Sequence, residues 1–289
     1  MSDPSPNREQ AAYWNEQGGP KWVTMQRDLD GQLEPLGMLA MDRLALTRGE
    51  RVLDVGCGAG ATSLALAVRV APGEVMGVDI SRPLLARATE RAAEVAAGDP
   101  RRNVRFQEAD AQTMSPPSPG FDVVFSRFGV MFFADPLAAF KNIHACLRPG
   151  GRLGFVCWRQ MNENPWVTIP LGAAMPFLPA PPEPPVPGAP GPFAFADGAR
   201  TRLILEAAGF SQIEVAPIDS ELVVGGSDDL DGAVQLSLQI GPLGRELNAE
   251  SDSVRAKARA AVRDAFAPLH GPRGVVLRAA VWVVTAGRP

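Results

Sequence analysis

Helical spacing of apolar residues marks the first fifty or so positions of the chain. Residues 8–17 predict a short helix, and residues 20–46 predict a longer one with apolar positions every three or four residues. Those positions are Trp22, Met25, Leu29, Leu33, Leu36, Leu39, Met41 and Leu44. Gly31, Pro35 and Gly37 are expected to break the longer helix, because glycine and proline disfavour a helix interior.

From residue 51 the pattern changes to short apolar runs that alternate with helical segments. The runs predict five strands, at residues 51–55, 74–78, 104–108, 121–125 and 152–158. The segments between them predict helices at 59–70, from an N-cap at Ser81 to 97, and at 136–147. This alternation is typical of a parallel, doubly wound α/β sheet with right-handed crossovers.

A proline-rich stretch then interrupts the alternation. Residues 176–192 contain nine prolines and predict a surface loop, with a partner-binding PxxP segment as the alternative. Further along, the pattern predicts a helix at 197–208, a strand at 213–224, helices at 227–240 and 252–267, and a last strand at 275–285.

Together these elements predict one α/β domain with a mostly parallel, seven-stranded sheet. Residues 1–47 form an N-terminal helical cap or lid, and residues 48–289 form the sheet domain, with a helical insertion before the last strand. Ligands of such sheets bind beyond the carboxyl ends of the strands, at the topological switch point. Residues 158–195 and 226–270 are therefore expected to be insertions on the substrate side.

Composition and charge narrow the function classes. Of the 289 residues 46% are hydrophobic, which excludes wholesale disorder. The 28 basic and 32 acidic residues give a net charge of −4, so we expect no nucleic-acid partner. The residues Cys57, Cys146 and Cys157 have no CxxC spacing, so no zinc or other metal site is expected. A polar start, Met1 to Gln10, and no membrane-length apolar run predict a cytoplasmic protein, and a homodimer is an open option.

The strongest local signal is a glycine loop between a strand and a helix, in the run Val52-Leu-Asp-Val-Gly-Cys-Gly-Ala-Gly-Ala-Thr62. Gly56 and Gly58 permit a tight turn and let a ligand approach the backbone. The loop also fits the dinucleotide pattern G-x-G-x-x-G/A loosely. Asp54 argues against a pyrophosphate, because like charges repel, and favours a cationic ligand.

This run resembles the first motif of the class I S-adenosylmethionine-dependent methyltransferases. Four further segments resemble later motifs in that family's order: residues 75–81, 106–111, 121–127 and 147–153. The resemblance implies that Asp79 binds the ribose hydroxyls and that Asp110 and Ala111 meet the adenine edge. The implied cofactor contacts are Asp54, Gly56, Cys57, Gly58, Gly60, Asp79, Ile80, Asp110, Ala111, Ser126 and Arg127.

Aromatic residues near the N-terminus suggest a cover for the cofactor. Trp14 and Trp22 are predicted cofactor contacts on a lid, and docking of the first helices onto the sheet is the alternative. Arg127 is either a surface charge or a contact to a carboxylate of the methionine moiety or of the substrate.

The acceptor side offers apolar walls and few bases. Arg127, Phe128, Trp158 and Met161 are the predicted substrate contacts, because they follow strand ends. His270 is the candidate general base, whereas His144 is expected to be structural, and Cys57 to be a buried spacer rather than a nucleophile.

The sequence thus predicts a methyltransferase that uses S-adenosylmethionine, releases S-adenosylhomocysteine and methylates a small molecule at an O, N or C atom. The Asn/Asp-Pro-Pro-Tyr/Phe motif of amino-directed nucleic-acid methyltransferases is absent after the fourth strand, which reads Ser126-Arg127-Phe128-Gly129. A methyltransferase-like protein that binds the cofactor without catalysis is one alternative. An NAD(P)-dependent oxidoreductase is another, disfavoured by Asp54 and by the lack of a Tyr-xxx-Lys pair.

Overall fold

A single sheet forms the centre of the computed structural model, which describes residues 6–182, 186 and 188–289. Its strands are β1 (Arg51–Val55), β2 (Glu74–Asp79), β3 (Val104–Glu108), β4 (Phe121–Arg127), β5 (Leu147–Trp158), β6 (Ser211–Val223), β7 (His270–Gly271) and β8 (Gly274–Gly287). They lie in the order β3-β2-β1-β4-β5-β8-β6, and the two-residue β7 pairs with β8 at the side.

The strand directions confirm the predicted mostly parallel, doubly wound sheet. Strands β1 to β5 pair in parallel, whereas β8 runs antiparallel to both β5 and β6. The inner strands are apolar on both faces, as parallel strands covered by helices must be: Val52, Leu53, Val123 and Val124 are fully buried.

Eleven α-helices are described around this sheet. They are α1 (Arg8–Tyr13), α2 (Gly19–Thr24), α3 (Gln26–Arg43), α4 (Ala61–Val70), α5 (Arg82–Ala93), α6 (Pro136–Cys146), α7 (Pro165–Ala174), α8 (Gly198–Ala207), α9 (Leu230–Gln239), α10 (Gly241–Glu246) and α11 (Asp252–Phe266). A π-helical segment, Trp14–Gly18, joins α1 to α2. Among the described residues no helix has the length and apolar character needed to cross a membrane.

The switch point of the sheet lies between β1 and β4. From β1 the chain goes to its neighbour β2 and then to β3 at the edge, whereas β4 pairs with β1 on the other side and leads to β5. The carboxyl ends of β1 and β4 therefore open a crevice between their loops, where ligands of this sheet class bind. Val55 and Arg127 are the last residues of those two strands.

The predicted breaks in the N-terminal cap are wrong, because α3 runs without interruption through Gly31, Pro35 and Gly37. Close packing explains the two glycines. A Cβ at Gly31 would lie 2.9 Å from the Gly226 carbonyl oxygen, and one at Gly37 would lie 2.9 Å from the Cδ of Arg127. These small residues let the helix approach its neighbours, and tertiary contacts outweigh their low helix propensity.

Other boundaries differ in smaller ways. The helix after the glycine loop begins at Ala61 rather than at 59, and α7 was not predicted, because Pro165 and Pro170 obscured its period. The predicted helix at 227–240 ends at Gln239, and the short α10 follows it after Ile240. Of the proline-rich stretch, Pro184, Pro185 and Pro187 lie outside the described residues, as do Met1 to Ser5 of the polar start.

Candidate active site

A cavity of about 1100 Å³ opens at the switch point and collects most of the predicted site residues. Its lining includes Trp14, Trp22, Gly56, Cys57, Gly58, Asp79, Ile80, Asp110, Ala111, Arg127, Phe128, Trp158 and Met161. Asp54, Gly60, Ser126 and His270 are not on its wall. We call the part around Gly56–Gly58, Asp79, Ile80, Asp110 and Ala111 the glycine-loop half. The part around Phe128, Trp158, Met161 and Trp166 is the aromatic half.

The backbone of the glycine loop faces the cavity. Gly56 and Gly58 have φ values of 66° and 53°, a left-handed region that favours glycine. A Cβ at Gly56 would lie 2.7 Å from the Cα of Gly129, so this residue is required by the close approach of two strand-end loops. A Cβ at Gly58 would meet nothing within 4 Å, so the space above Gly58 is free for a ligand.

Asp79, the last residue of β2, faces this open backbone. Its Oδ2 accepts a hydrogen bond from the Gly58 N–H at 2.8 Å, and its Oδ1 accepts one from the Ser81 N–H at 2.9 Å. Burial raises the pKa of the Asp79 carboxyl above its usual value, although these backbone donors oppose the shift. Each oxygen keeps acceptor capacity, so the carboxylate is oriented and still able to bind two hydroxyl groups.

Asp54 lies behind the wall rather than on it, which corrects its prediction as a direct contact. The carboxylate is fully buried, and its Oδ2 accepts hydrogen bonds from the Thr62 and Ser63 hydroxyls, both at 2.6 Å. No described residue donates to Oδ1. Burial raises the pKa of Asp54 to about 6. Asp54 therefore fixes the first turn of α4 under the glycine loop.

Gly60 and Ser126 also act behind the wall, so their prediction as cofactor contacts is corrected too. A Cβ at Gly60, which has φ of 81°, would lie 2.8 Å from the Phe106 ring. Gly60 thus allows α4 to pack tightly on the sheet. The Ser126 hydroxyl donates to the Val55 carbonyl at 2.7 Å and accepts from the Gly129 N–H at 3.2 Å. It ties the β1 and β4 loops together.

Asn7 joins the N-terminal segment to the loop after β3, and the sequence analysis missed it. This buried amide donates to both carboxylate oxygens of Asp110 at 2.9 Å and to Gln112 Oε1 at 3.2 Å. Its Oδ1 accepts from the Ala134 N–H at 2.7 Å. No local pattern marks this asparagine, because its partners lie more than a hundred residues away.

A second asparagine docks the same segment onto the loop after β2. Asn15 Nδ2 donates to the Ile80 carbonyl at 2.8 Å, and its Oδ1 accepts from the Arg82 N–H at 2.9 Å. The Ser81 hydroxyl donates to the Trp14 carbonyl at 2.8 Å. These bonds hold the π-helical segment against the Asp79 loop.

The aromatic residues of the cap pack against one another above the glycine-loop half. Trp14 makes edge contacts with Tyr13, Trp22 and Phe132, at centroid distances of 5.2 to 5.6 Å. Trp14 and Trp22 are therefore both part of the docked cap and part of the cavity wall. Docking of the cap is thus observed, and cover of the cofactor by these tryptophans stays a prediction.

Arg127 projects from the end of β4 into a charged cluster at the junction of the two halves. It lies 3.4 Å from Asp30 Oδ1, while Arg91 lies 2.9 Å and Gln26 2.5 Å from Asp30 Oδ2. The side chain of Arg127 is only 12% exposed, so it is not the surface charge that one alternative predicted.

The aromatic half is built on a stack of three rings. Phe128 stacks on Trp158 at 4.4 Å and 14°, and Trp158 contacts Trp166 at 4.6 Å. Phe128 has φ of 60°, unusual for a bulky residue, and its N–H donates to the Val156 carbonyl at 3.0 Å. Phe128 directly follows β4, Trp158 ends β5 and Trp166 lies in α7, so three separate segments form this wall.

His270 does not lie at the cavity, so its prediction as the general base is wrong for this structure. The exposed ring sits in the β7–β8 hairpin with Nε2 2.7 Å from the Asp228 carbonyl oxygen. His144 packs edge-on against Phe210 at 5.0 Å, and burial lowers its pKa. Cys57 is 3% exposed and burial raises its pKa, as suits a spacer rather than a nucleophile. Within the described part of the chain no three His, Cys, Asp or Glu side chains group to hold a metal ion.

Comparisons with known proteins match the segment that contains the glycine loop. Residues 52–151 match the family model described as "Methyltransferase domain". Aklanonic acid methyltransferase DauC of Streptomyces sp. (strain C5) is 34% identical over 122 residues, which are 42% of this chain and 54% of that protein. An uncharacterised protein of Mycobacterium tuberculosis is 36% identical over 126 residues, 44% of this chain and 43% of that protein. The chain thus aligns with only about half the length of these relatives.

Solved structures extend the likeness of fold to nearly the whole chain. Magnesium protoporphyrin IX methyltransferase (ChlM) from Synechocystis PCC 6803, solved with bound S-adenosylhomocysteine, superposes with a TM-score of 0.56. The superposition covers 98% of this chain and 99% of that one at 16% identity, so it speaks for the fold alone. The family model spans strands β1 to β4, the glycine loop and Phe128, whereas Trp158, Met161 and Trp166 of the aromatic half lie beyond its last matched residue, 151.

Proposed function

We propose that this protein is an S-adenosylmethionine-dependent methyltransferase of a small molecule, because residues 52–151 match the family model described as "Methyltransferase domain" and the fold superposes on that of a solved methyltransferase. The observation that carries the proposal is the open backbone at Gly58 beside the oriented carboxylate of Asp79. Both lie in one cavity that also holds an apolar wall, so cofactor and acceptor can meet there.

The glycine-loop half fits the nucleoside end of the cofactor. Asp79 can accept two ribose hydroxyls, because each of its oxygens has one backbone partner and further acceptor capacity. Asp110 and Ala111 border the place of the base, together with Ile80. Asp110 remains able to accept a donor from the adenine edge, since an ionised carboxylate has about four acceptor sites.

When bound, the cofactor would supply a methyl group on a positively charged sulfur, with the thioether of S-adenosylhomocysteine as the leaving group when an acceptor attacks the methyl carbon. The chain's own residues align the partners and exclude water. The predicted cap, 1–47, of which residues 6–47 are described, covers the cofactor as a lid that is fastened by Asn7 and Asn15. The described residues of the predicted insertions 158–195 and 226–270 enclose the acceptor, and several of them line the cavity. Asp54 acts indirectly, as a buried negative charge that positions α4.

A small-molecule acceptor suits the apolar walls of the aromatic half. Relatives named as methyltransferases of aklanonic acid and of demethylmenaquinone support a small organic acceptor here too. The methylated atom stays open among O, N and C. We further propose a cytoplasmic location, in which the three cysteines stay reduced; they are free and buried in the structure. A homodimer and the absence of a nucleic-acid partner remain predictions.

Calorimetric titration with S-adenosylhomocysteine, with NADH in parallel, tests the cofactor assignment. We expect S-adenosylhomocysteine to bind and NADH not to bind. Asp79→Ala should lower the affinity for S-adenosylhomocysteine by at least ~100-fold, because it removes about two charge-assisted hydrogen bonds. Asp42→Ala, an exposed aspartate on α3, is the matched control and should bind as the wild type does. Far-ultraviolet circular dichroism checks that each variant is folded.

Two outcomes would redirect the proposal. Binding of NADH alone would favour the oxidoreductase alternative and overturn the assignment. Binding of S-adenosylhomocysteine without transfer of a labelled methyl group to any of a broad panel of acceptors would favour the cofactor-binding protein without catalysis.

A further inference from the structure

The aromatic half places three neighbouring aromatic side chains on the cavity wall. Trp158 lies between Phe128 and Trp166, and all three rings line the cavity. Aromatic rings bind other aromatic rings by offset stacking or by edge contacts, which favours planar ligands over branched aliphatic ones. A cavity of about 1100 Å³ is at the upper end of small-molecule sites, which leaves room for a second, ring-sized ligand.

Phe128 is held in place against a conformational cost. A phenylalanine at φ 60° is strained by about 1–3 kcal/mol, and such strain is concentrated at functional sites. The neighbouring strand β5 holds this conformation, because the Phe128 N–H donates a hydrogen bond to the Val156 carbonyl, and the side chain is only 6% exposed. The strained residue directly follows Arg127, so ring and guanidinium leave the strand end together.

The cavity offers no ready proton acceptor at this strand end. No histidine or lysine is among its described lining residues. The Asp30 carboxylate is already engaged by Arg91, Arg127 and Gln26. Of the other described lining carboxylates, Asp79 and Asp110 belong to the glycine-loop half, Glu246 and Glu250 belong to the insertion, and Asp197 caps the start of α8 by accepting from the Ala199 and Arg200 N–H groups.

Arg127 supplies positive charge at the same place. Two guanidiniums, Arg127 of β4 and Arg91 of α5, share the one carboxylate of Asp30 on α3, and the buried Asp54 of β1 faces Arg127 from behind. The contact from Arg127 to Asp30 is long, at 3.4 Å, while a guanidinium has five N–H donors. Arg127 cannot take up a proton, but it lowers the pKa of an acidic group bound beside it.

We propose that the acceptor is a planar aromatic oxyanion, a phenolate, enolate or aryl carboxylate, that stacks on the Phe128–Trp158–Trp166 wall and places its charge on Arg127. The inference rests on the proposed function. The acceptor loses its proton to solvent before the reaction. Its lone pair then forms the bond to the methyl carbon while the carbon–sulfur bond breaks and leaves its electron pair on sulfur. No protein base takes part in the transfer.

Quenching of tryptophan fluorescence by two matched probes tests the inference in protein saturated with S-adenosylhomocysteine. The probes are anthraquinone-2-carboxylate and the neutral 2-(hydroxymethyl)anthraquinone. We expect the carboxylate probe to bind at least ~10-fold more tightly than the neutral probe, because it gains about one charge-assisted hydrogen bond. Arg127→Gln should abolish that preference, Arg127→Lys should keep part of it, and Trp166→Leu should weaken both probes. Arg263→Gln, which breaks an exposed ion pair with Asp231 outside the cavity, is the matched control.

A kinetic measurement complements the binding test. With labelled cofactor and 2-hydroxyanthraquinone as acceptor, kcat/KM should rise with pH and level off above the pKa of the free phenol. Replacing 2-hydroxyanthraquinone with a more acidic phenol should shift the pH profile to lower pH by the difference between the pKa values of the two phenols. A profile that stays fixed when the acceptor changes would reveal a protein base and overturn the inference.

The remaining outcomes separate this inference from the proposed function. Equal affinity for the two probes, or a preference that Arg127→Gln leaves intact, overturns the inference while binding of S-adenosylhomocysteine stands. Loss of S-adenosylhomocysteine affinity in Arg127→Gln without loss of the preference would assign Arg127 to the methionine carboxylate instead. Failure of the wild type to bind S-adenosylhomocysteine would defeat the proposed function itself.

Discussion

The glycine-loop half and the aromatic half of the cavity are built by different means. In the glycine-loop half, short local segments at the ends of β1, β2 and β3 supply backbone groups and carboxylates, with bonds of 2.6 to 2.9 Å at Asp54, Asp79 and Asp110. The aromatic half is made of rings from three separate segments, and shape and charge rather than hydrogen bonds define it. The hydrogen-bonded glycine-loop half suits a cofactor of fixed chemistry, whereas the aromatic half suits an acceptor whose chemistry can differ between enzymes.

Two glycine substitutions in the same loop separate folding from binding. Gly56→Ala adds a Cβ 2.7 Å from the Gly129 backbone at positive φ, and should lower the free energy of unfolding by about 2–5 kcal/mol. Gly58→Ala meets open space, so it should lose only about 1–2 kcal/mol of stability. It should nevertheless lose more than ~10-fold in affinity for S-adenosylhomocysteine, since 1.4 kcal/mol is a factor of ten. Urea denaturation and calorimetry measure the two effects.

Gly150→Ala is the matched control for that pair. Gly150 has φ of 74° and no neighbour within 4 Å, but it lies outside the cavity. It should show the same small stability loss and no loss of affinity. Equal affinities of the Gly58 and Gly150 variants would contradict the assignment of the open backbone to the cofactor.

The buried carboxylate behind the glycine loop gives the protein a pH-dependent stability. The pKa of Asp54 is about 6 in the folded state against 3.8 when unfolded, so the folded state binds the proton more tightly. This contribution is fully present below pH ~4, falls as the pH rises to ~6, and is absent above, a change of about 3 kcal/mol. Asp54→Asn should remove it, so denaturation curves at pH 4.5 to 7.5 should shift in favour of the variant as the pH rises.

Asp79 adds to the wild-type trend in the same direction, because burial raises its pKa too. The quantity to compare is therefore the difference between Asp54→Asn and wild type at each pH. The exposed Asp42→Asn serves as control and should run parallel to the wild type. A constant difference for Asp54→Asn would mean that Asp54 keeps an ordinary pKa.

Asn7 tests whether the cap belongs functionally to the glycine-loop half. Asn7→Ala leaves the Ala134 N–H and one side of Asp110 without their partners, and should destabilise the protein by about 1–3 kcal/mol. The affinity for S-adenosylhomocysteine should fall several-fold, since Asp110 loses its orientation. Asn248→Ala removes only exposed bonds of the same cap, to Lys21 and Gln17, and should be near neutral. Similar effects of both variants would show that the buried hydrogen bonds of Asn7 have no special role in binding.

Phe128 probes the aromatic half of the cavity. Phe128→Gly loses the stacked ring but relieves the positive-φ strain, so the net destabilisation should stay below ~3 kcal/mol. Binding of anthraquinone-2-carboxylate should weaken ~10-fold, about the value of one aromatic stack, while the affinity for S-adenosylhomocysteine should stay within about twofold. Ala45→Gly, at φ of 46°, measures the strain relief alone. Equal losses of affinity for anthraquinone-2-carboxylate and for S-adenosylhomocysteine would contradict the assignment of the two halves to different ligands.

The sequence predicted the sheet and the glycine loop well, because both depend on local patterns. Alternating apolar runs marked every main strand, and the loop from Gly56 to Gly60 has the left-handed conformations that its glycines permit. Errors arose where a residue serves a distant partner. Gly31 and Gly37 are contact points for Gly226 and Arg127, and looked like helix breaks when only their neighbours in sequence were considered.

The same distinction applies to the candidate site. By itself the sequence determined the fold class, the open loop and the acid at Asp79, since each depends on spacing along a few residues. Only the tertiary structure decided that Asp54 lies behind the wall, that Asn7 reaches Asp110, and that His270 stands outside the cavity. The physical reason is that burial, ion pairing and ring stacking depend on distances between segments, such as Arg127 to Asp30 or Trp158 to Trp166, which no local pattern of residues encodes.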